Sequence, residues 1–128
     1  MLNITIVTIP HKEQRYPTVG DWVVDYNKNS HTIYVSDMNN WKYEFCVAVH
    51  ELVEMFYCLA CGVTQQRVDT FDMLYEKNRK KGDASEPGND PKAPYHKQHK
   101  FATFVERAVA FVLDVNWETY EKVIDSLY

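Results

Sequence analysis

Residues 47–63, VAVHELVEMFYCLACGV, constrain the fold of this chain more than any other stretch. The only strongly polar side chains in it are His50, Glu51 and Glu54. Apolar residues occupy nearly every direction around the rest of the segment, which predicts a buried helix rather than an amphipathic surface helix. A buried carboxylate costs on the order of several kcal/mol unless it is paired, protonated or bound to a metal. Any fold that buries this helix must therefore compensate two carboxylates and an imidazole.

The rest of the chain divides into strands followed by helices. The β-rich runs are residues 2–9, 22–26 and 31–35, and the helical patterns cover residues 41–61, 64–81, 95–115 and 117–127. This order predicts an α+β fold with a small N-terminal antiparallel β-sheet followed by three to four helices. A length of 128 residues suits one domain, residues 1–128. The Gly-, Pro- and Asp-rich residues 82–94 form either a lid over a site or a plain connection.

Composition excludes several classes of function. A formal net charge of −4 argues against nonspecific nucleic-acid binding, which depends on Lys and Arg. No stretch reaches the roughly 20 apolar residues that cross a bilayer, so no membrane partner is expected. The N-terminus has no signal-peptide pattern, and three cysteines form no even disulfide framework, so the expected location is cytoplasmic. Cys58 and Cys61 then read as two reduced core thiols.

The spacing of the polar residues in the central helix favours a metal site. At about 100° per residue, His50 and Glu54 lie roughly 40° apart and one turn from each other. Two side chains in this arrangement can bind one metal ion. Glu51 projects about 100° away from His50, where it can reach a metal-activated water as a general base. Ion pairs with Lys or Arg from other segments are the simpler alternative.

A second helix carries a matching pair of residues. His99 and Glu106 are seven residues apart, which places them about 20° from each other on one face. They would supply a further His ligand and a carboxylate that either binds the metal or orients a ligand. His96 is the rival for the third ligand. From Phe101 to Leu113 only Glu106 and Arg107 are charged, so this helix too is expected to be largely buried.

The combination of a short strand, HTIYV, and a helix with VAVHELVE resembles the zincin metallopeptidases, whose signature is H-E-x-x-H. The resemblance covers about residues 31–62 and implies that His50 is a zinc ligand and Glu51 the general base. It also implies a third ligand from a later helix and a peptide or protein substrate. The stretch APYHKQHKFATFVE resembles small proteins encoded by phages and prophages.

The chain departs from the zincin signature at its last position, where Glu54 replaces the second histidine. With His50 and His99, this carboxylate makes a set of two His and one carboxylate, which suits zinc and also Fe or Mn. The expected function is therefore a zinc-dependent hydrolase, most simply a small metallopeptidase. The alternative is a noncatalytic phage or bacterial interaction protein that keeps a structural metal or buried salt bridges.

Two further expectations concern substrate binding. A strand near residues 31–36 would offer its edge to an extended peptide, which would pair with it through main-chain hydrogen bonds. The Tyr95 hydroxyl either stabilises an oxyanion or packs at the start of its helix.

Overall fold

The computed structural model describes residues 1–128 as three strands followed by four helices. The strands are β1 (Asn3–Ile9), β2 (Gly20–Asp25) and β3 (Ser30–Ser36), and the helices are α1 (Trp41–Cys61), α2 (Gln65–Lys77), α3 (His96–Val112) and α4 (Trp117–Asp125). Single 3-10 turns lie at His11–Glu13 and Pro87–Asn89. The α+β class and the order of elements are confirmed. The helices α2 and α3 are shorter than their sequence patterns indicate.

The sheet is mixed rather than wholly antiparallel. Its strand order is β1-β3-β2, with β2 antiparallel and β1 parallel to the central strand β3. The expectation that residues 31–36 present an edge is therefore wrong, because β3 is paired on both sides along its length. The outer side of β2 is also occupied beside Trp22 and Val24. The Gln65 side chain donates to the Trp22 carbonyl and accepts from the Val24 amide, as a neighbouring strand would.

Helix α1 begins and ends at sequence signals that are specific for helix termini. The Asn40 side chain accepts hydrogen bonds from the amides of Lys42 and Tyr43, as an N-cap residue does. At the other end Gly62 has a φ of 71°, and the Val63 amide donates to the Cys58 carbonyl. This left-handed C-cap conformation is one that glycine adopts without steric cost. The bounds predicted for α1 are thereby confirmed.

The core lies between the sheet and the helices. Helix α1 packs against β2 and β3 on one side and against α3 on another. The centre of the core is formed by residues that are almost inaccessible to solvent: Ile33, Val35, Cys46, Met55, Cys58, Ala110 and Tyr120. This packing places His50 and Glu54 of α1 directly opposite α3.

Helix α3 is less buried than its composition predicts. Phe104 is 70% exposed and Phe111 is 86% exposed, while Ala102, Glu106 and Ala110 are buried. The expectation of a largely buried helix is therefore wrong for one of its faces. Periodicity did not reveal this, because both faces of the helix are apolar and only the packing of α1 decides which one is covered. None of the helices is long and apolar enough to cross a lipid bilayer.

Candidate metal centre

Three side chains from two helices meet at one point. On α1, His50 Nε2 lies 3.1 Å from Glu54 Oε2, one turn along the helix. From α3, His99 Nδ1 lies 2.9 Å from the same carboxylate oxygen and 3.1 Å from His50 Nε2. All three residues are at least nine-tenths buried. This group could hold a metal ion, with one donor atom from each residue.

The other nitrogen of each imidazole faces a carboxylate. His50 Nδ1 lies 2.8 Å from Glu106 Oε1, and His99 Nε2 lies 2.9 Å from Glu86 Oε2. An ionised carboxylate can only accept a hydrogen bond, so each of these outer nitrogens carries a proton. In the neutral imidazole the inner nitrogen then has a free lone pair. Carboxylates hold metal-binding histidines in this way in many sites.

With the outer nitrogens protonated, three electron-rich atoms face one another. Their lone pairs repel unless a cation, either a metal ion or added protons, lies among them. Without a metal, protons fill this role. Burial lowers the pKa of His99, but its hydrogen bonds to Glu54 and Glu86 outweigh burial and raise it to about 9. The same balance, with Glu106 and Glu54 as partners, raises the pKa of His50 well above its usual value.

The Glu54 carboxylate is held in its ionised form. Burial by itself raises the pKa of this group, but hydrogen bonds from His50 and His99 lower it below its usual range. The second oxygen, Oε1, accepts a hydrogen bond of 3.0 Å from Trp22 Nε1 of β2. Glu54 therefore binds the histidines with one oxygen and the sheet with the other. A glutamate at this position keeps a donor atom where the zincin signature has an imidazole nitrogen.

The Glu51 side chain lines the cavity beside the three-residue group and makes no hydrogen bond or ion pair with another residue. It is accommodated because β2 begins with Gly20, where a Cβ atom would lie only 2.7 Å from Glu51 Cγ and Oε1. Burial and the nearby charge of Glu54 raise the pKa of the Glu51 carboxyl well above its usual value. A carboxyl group with a raised pKa and no protein partner is suited to accept and return protons.

The cavity has a volume of about 70 Å³, enough for a few water molecules. One wall is formed by Asp72 of α2, which is buried and accepts hydrogen bonds from the hydroxyls of Tyr16 and Tyr95. Burial is the main cause that raises the pKa of Asp72 to about 7. The Tyr95 hydroxyl is committed to Asp72, so this structure does not leave its proton free for an oxyanion.

The structure distinguishes between His96 and His99 as the third candidate ligand, and between the two roles expected for Glu106. His99 belongs to the three-residue group, whereas His96 Nδ1 contacts the Gly88 carbonyl oxygen at 2.9 Å. Glu106 contacts the outer nitrogen of His50, which favours the orienting role over that of a ligand. Its other oxygen accepts a 2.6 Å hydrogen bond from the Tyr120 hydroxyl. Residues 82–94 supply Glu86 and Gly88 to the surroundings of His99.

Sequence reasoning missed Glu86, Asp72 and Trp22. Glu86 lies in a Gly- and Pro-rich loop, where periodicity carries no information about the direction of a side chain. Asp72 is the one acid in an otherwise apolar turn of α2, and this isolated charge was the only feature of the sequence that indicated a buried functional carboxylate. Cys58 and Cys61 are both free thiols, as expected, but only Cys58 lies in the core. Cys61 is exposed, so the expectation of two core thiols is wrong for this residue.

Comparisons with models of known protein families, with curated proteins and with solved structures gave no match.

Proposed function

We propose that this protein is a small metal-dependent hydrolase that binds zinc through His50, Glu54 and His99. The observation that carries the proposal is the convergence of three donor atoms whose orienting hydrogen bonds leave their lone pairs directed at one another. The peptide class of substrate is proposed from the resemblance of HELVE to the zincin signature. Fe and Mn suit the same donors, and metal analysis distinguishes them.

The dimensions of the group support zinc. Ligand atoms at about 2.0–2.1 Å in a tetrahedral arrangement lie about 3.3 Å from one another. The three observed separations, 2.9 to 3.1 Å, are slightly shorter, so a small outward movement of the side chains would admit the ion. Two His and one carboxylate are a familiar catalytic zinc set, and they leave a fourth position for water.

Each residue has a distinct part in the proposed reaction. Zinc would supply a Lewis acid and lower the pKa of a water molecule at the fourth position. Glu51 would accept a proton from that water and return it to the leaving group, and its side chain has no protein partner that competes for this role. Glu106 and Glu86 keep His50 and His99 oriented with their inner nitrogens toward the ion.

The test separates metal binding from catalysis. Purified protein should contain about one zinc per chain by elemental analysis. His50→Ala should lose the metal, whereas Glu51→Gln should retain it. A mixture of peptides should be cleaved by the wild type and not by Glu51→Gln. Glu118→Gln, at an exposed carboxylate of α4, is the matched control and should keep both properties.

Full activity in Glu51→Gln contradicts its role as the base. Protein that contains no metal and gains no stability on adding zinc contradicts the site itself, because a ligand that binds only the folded state must stabilise it.

A structural metal in a noncatalytic interaction protein is the second candidate. The observation that favours it is the burial of the ligands, each 5 to 7% exposed. In that case the metal is bound and stabilises the fold, Glu51→Gln keeps the metal, and no peptide or ester is cleaved.

A further inference from the structure

One face of α3 is apolar and exposed, on the side opposite to His99 and Glu106. Phe101 is 48%, Phe104 70% and Phe111 86% exposed, and Ala108 is exposed between them. Isolated exposed apolar residues are common, but contiguous patches of this kind mark interaction sites. Exposure of three phenylalanines along one helix face therefore requires an explanation.

The spacing of these residues identifies the kind of element that covers them. Positions 101, 104, 108 and 111 follow the 3-4-3 spacing of the seam between two packed helices. The occupant is therefore a helix with a similar apolar seam. Phe101 packs edge-on against Tyr57 of α1, with ring centroids 5.6 Å apart, but no other helix of this chain covers the face as a whole, because its three rings stay 48 to 86% exposed.

We propose that a second copy of this chain covers the face, with the two α3 helices packed antiparallel about a two-fold axis. If the two-fold axis passes the helices at the level of residue 106 along α3, Phe101 lies opposite the partner's Phe111. Phe104 then lies opposite the partner's Ala108, and the small side chain leaves room for the ring. The same surface serves both copies, as the commonest oligomer symmetry requires.

The charges beside the seam complement each other in this register. Lys100 lies toward one end of the seam and Asp114 just beyond the other, and both are exposed. Antiparallel pairing brings Lys100 close to the partner's Asp114, twice in each dimer. Arg107, near the centre, stacks on the Trp117 ring of its own chain with 4.8 Å between guanidinium carbon and ring centroid. This contact draws the guanidinium toward its own chain and away from the partner's Arg107.

The exposed rings supply about half of the area that such an interface needs. With 150–250 Å² of surface for each aromatic side chain, the three phenylalanines expose about 400 Å². A stable dimer buries about 800 Å² on each partner. The rings supply the apolar centre, and Val112, which is 80% exposed, together with the flanking charged residues, supplies the remainder.

The oligomeric state in solution tests the proposal. Sedimentation velocity over a micromolar concentration range should give the mass of two 15.1 kDa chains for the wild type. Phe104→Glu and Phe111→Glu should each weaken dimerisation about 100-fold or more, because a charge would be buried in the seam. Both positions are exposed and Glu is a good helix former, so these variants should keep their fold and circular dichroism spectrum.

A second set of variants tests the antiparallel register. Lys100→Glu should weaken the dimer about fivefold by repelling the partner's Asp114. Adding Asp114→Asn removes that repulsion and should restore most of the affinity. Leu74→Glu, at an exposed apolar residue of α2, is the control and should leave the dimer intact.

A wild type that stays monomeric over this range overturns the proposal, as does a dimer that survives Phe104→Glu. A dimer that Leu74→Glu dissociates also overturns it, because the interface then lies elsewhere. The dimer interface does not include the metal site, so either oligomeric state leaves the proposed function untouched.

Discussion

At the scale of single residues, the decisive feature is where the imidazole protons lie. Glu106 and Glu86 accept from the outer nitrogens of His50 and His99, so the inner nitrogens face Glu54 and offer it protons or, once deprotonated, offer a metal ion their lone pairs. Ion pairing with Glu54 alone does not explain why His50 Nε2 and His99 Nδ1 also lie 3.1 Å from each other, where two protonated rings repel. The orienting carboxylates are therefore as informative as the ligands.

Removing the negative charge of either orienting carboxylate tests this interpretation. Glu106→Gln and Glu86→Gln should each lower zinc affinity by about 10- to 100-fold, because a neutral amide holds the imidazole less firmly and makes it less basic. Competition with a chromogenic chelator measures the affinity. The exposed Glu118→Gln variant should match the wild type. Unchanged affinity in both Glu106→Gln and Glu86→Gln would show that these contacts do not orient the ligands.

At the scale of elements, two glycines allow the backbone to approach functional side chains. Gly20 at the start of β2 makes room for Glu51, and Gly88 in the 3-10 turn Pro87–Asn89 lies against the His99 ring. A methyl group at Gly88 would overlap with that ring. The turn can therefore lie directly against the imidazole because Gly88 has no side chain, while Glu86 beside it contributes a charge.

Gly88→Ala should displace the turn or the imidazole, because neither has free space. We expect zinc affinity to fall at least about 10-fold, since small displacements of an oriented ligand have effects of this size. The thermal stability of the metal-free protein should fall by less than that of the zinc-loaded protein. Titration calorimetry and thermal unfolding measure the two effects. Lys92→Ala, an exposed change in the same loop, should alter neither, and equal behaviour of the two variants would contradict the steric argument.

At the scale of the whole molecule, protons and metal compete for one site, so stability should depend on pH in opposite ways with and without zinc. The pKa of His99, raised to about 9, means that the folded metal-free protein holds a proton that the unfolded chain releases near pH 6.5. That stabilisation is complete below the unfolded pKa and is lost as pH rises through the folded one. From about pH 7 to pH 9 the metal-free protein should lose roughly 2 kcal/mol of its free energy of unfolding.

The stabilisation by zinc should instead grow over the same interval, because its ligands must release their protons to bind it. Urea unfolding with excess zinc or with a chelator, at several pH values, measures both trends. The His99→Asn variant should show a smaller decline without metal. A zinc effect that is independent of pH would show that the ion does not bind these imidazoles.

Much of the candidate site could be predicted from the sequence because its spacing lies within single helices. The positions of His50, Glu51 and Glu54 are related by the helical repeat alone, and so are those of His99 and Glu106. The caps Asn40 and Gly62 set the ends of α1 through local chemistry. Relations of this kind need no knowledge of the rest of the fold.

The sequence by itself determined that buried acids and imidazoles needed a shared partner, and that two helices carried them. Only the tertiary structure decided which face of α3 met α1, that β3 lay in the middle of a mixed sheet, and that Glu86, Trp22 and Asp72 joined the site. The physical reason is that helical periodicity is a local property of the chain. Contacts between distant segments depend on packing, which assigns one apolar face of α3 to the core and leaves the other exposed.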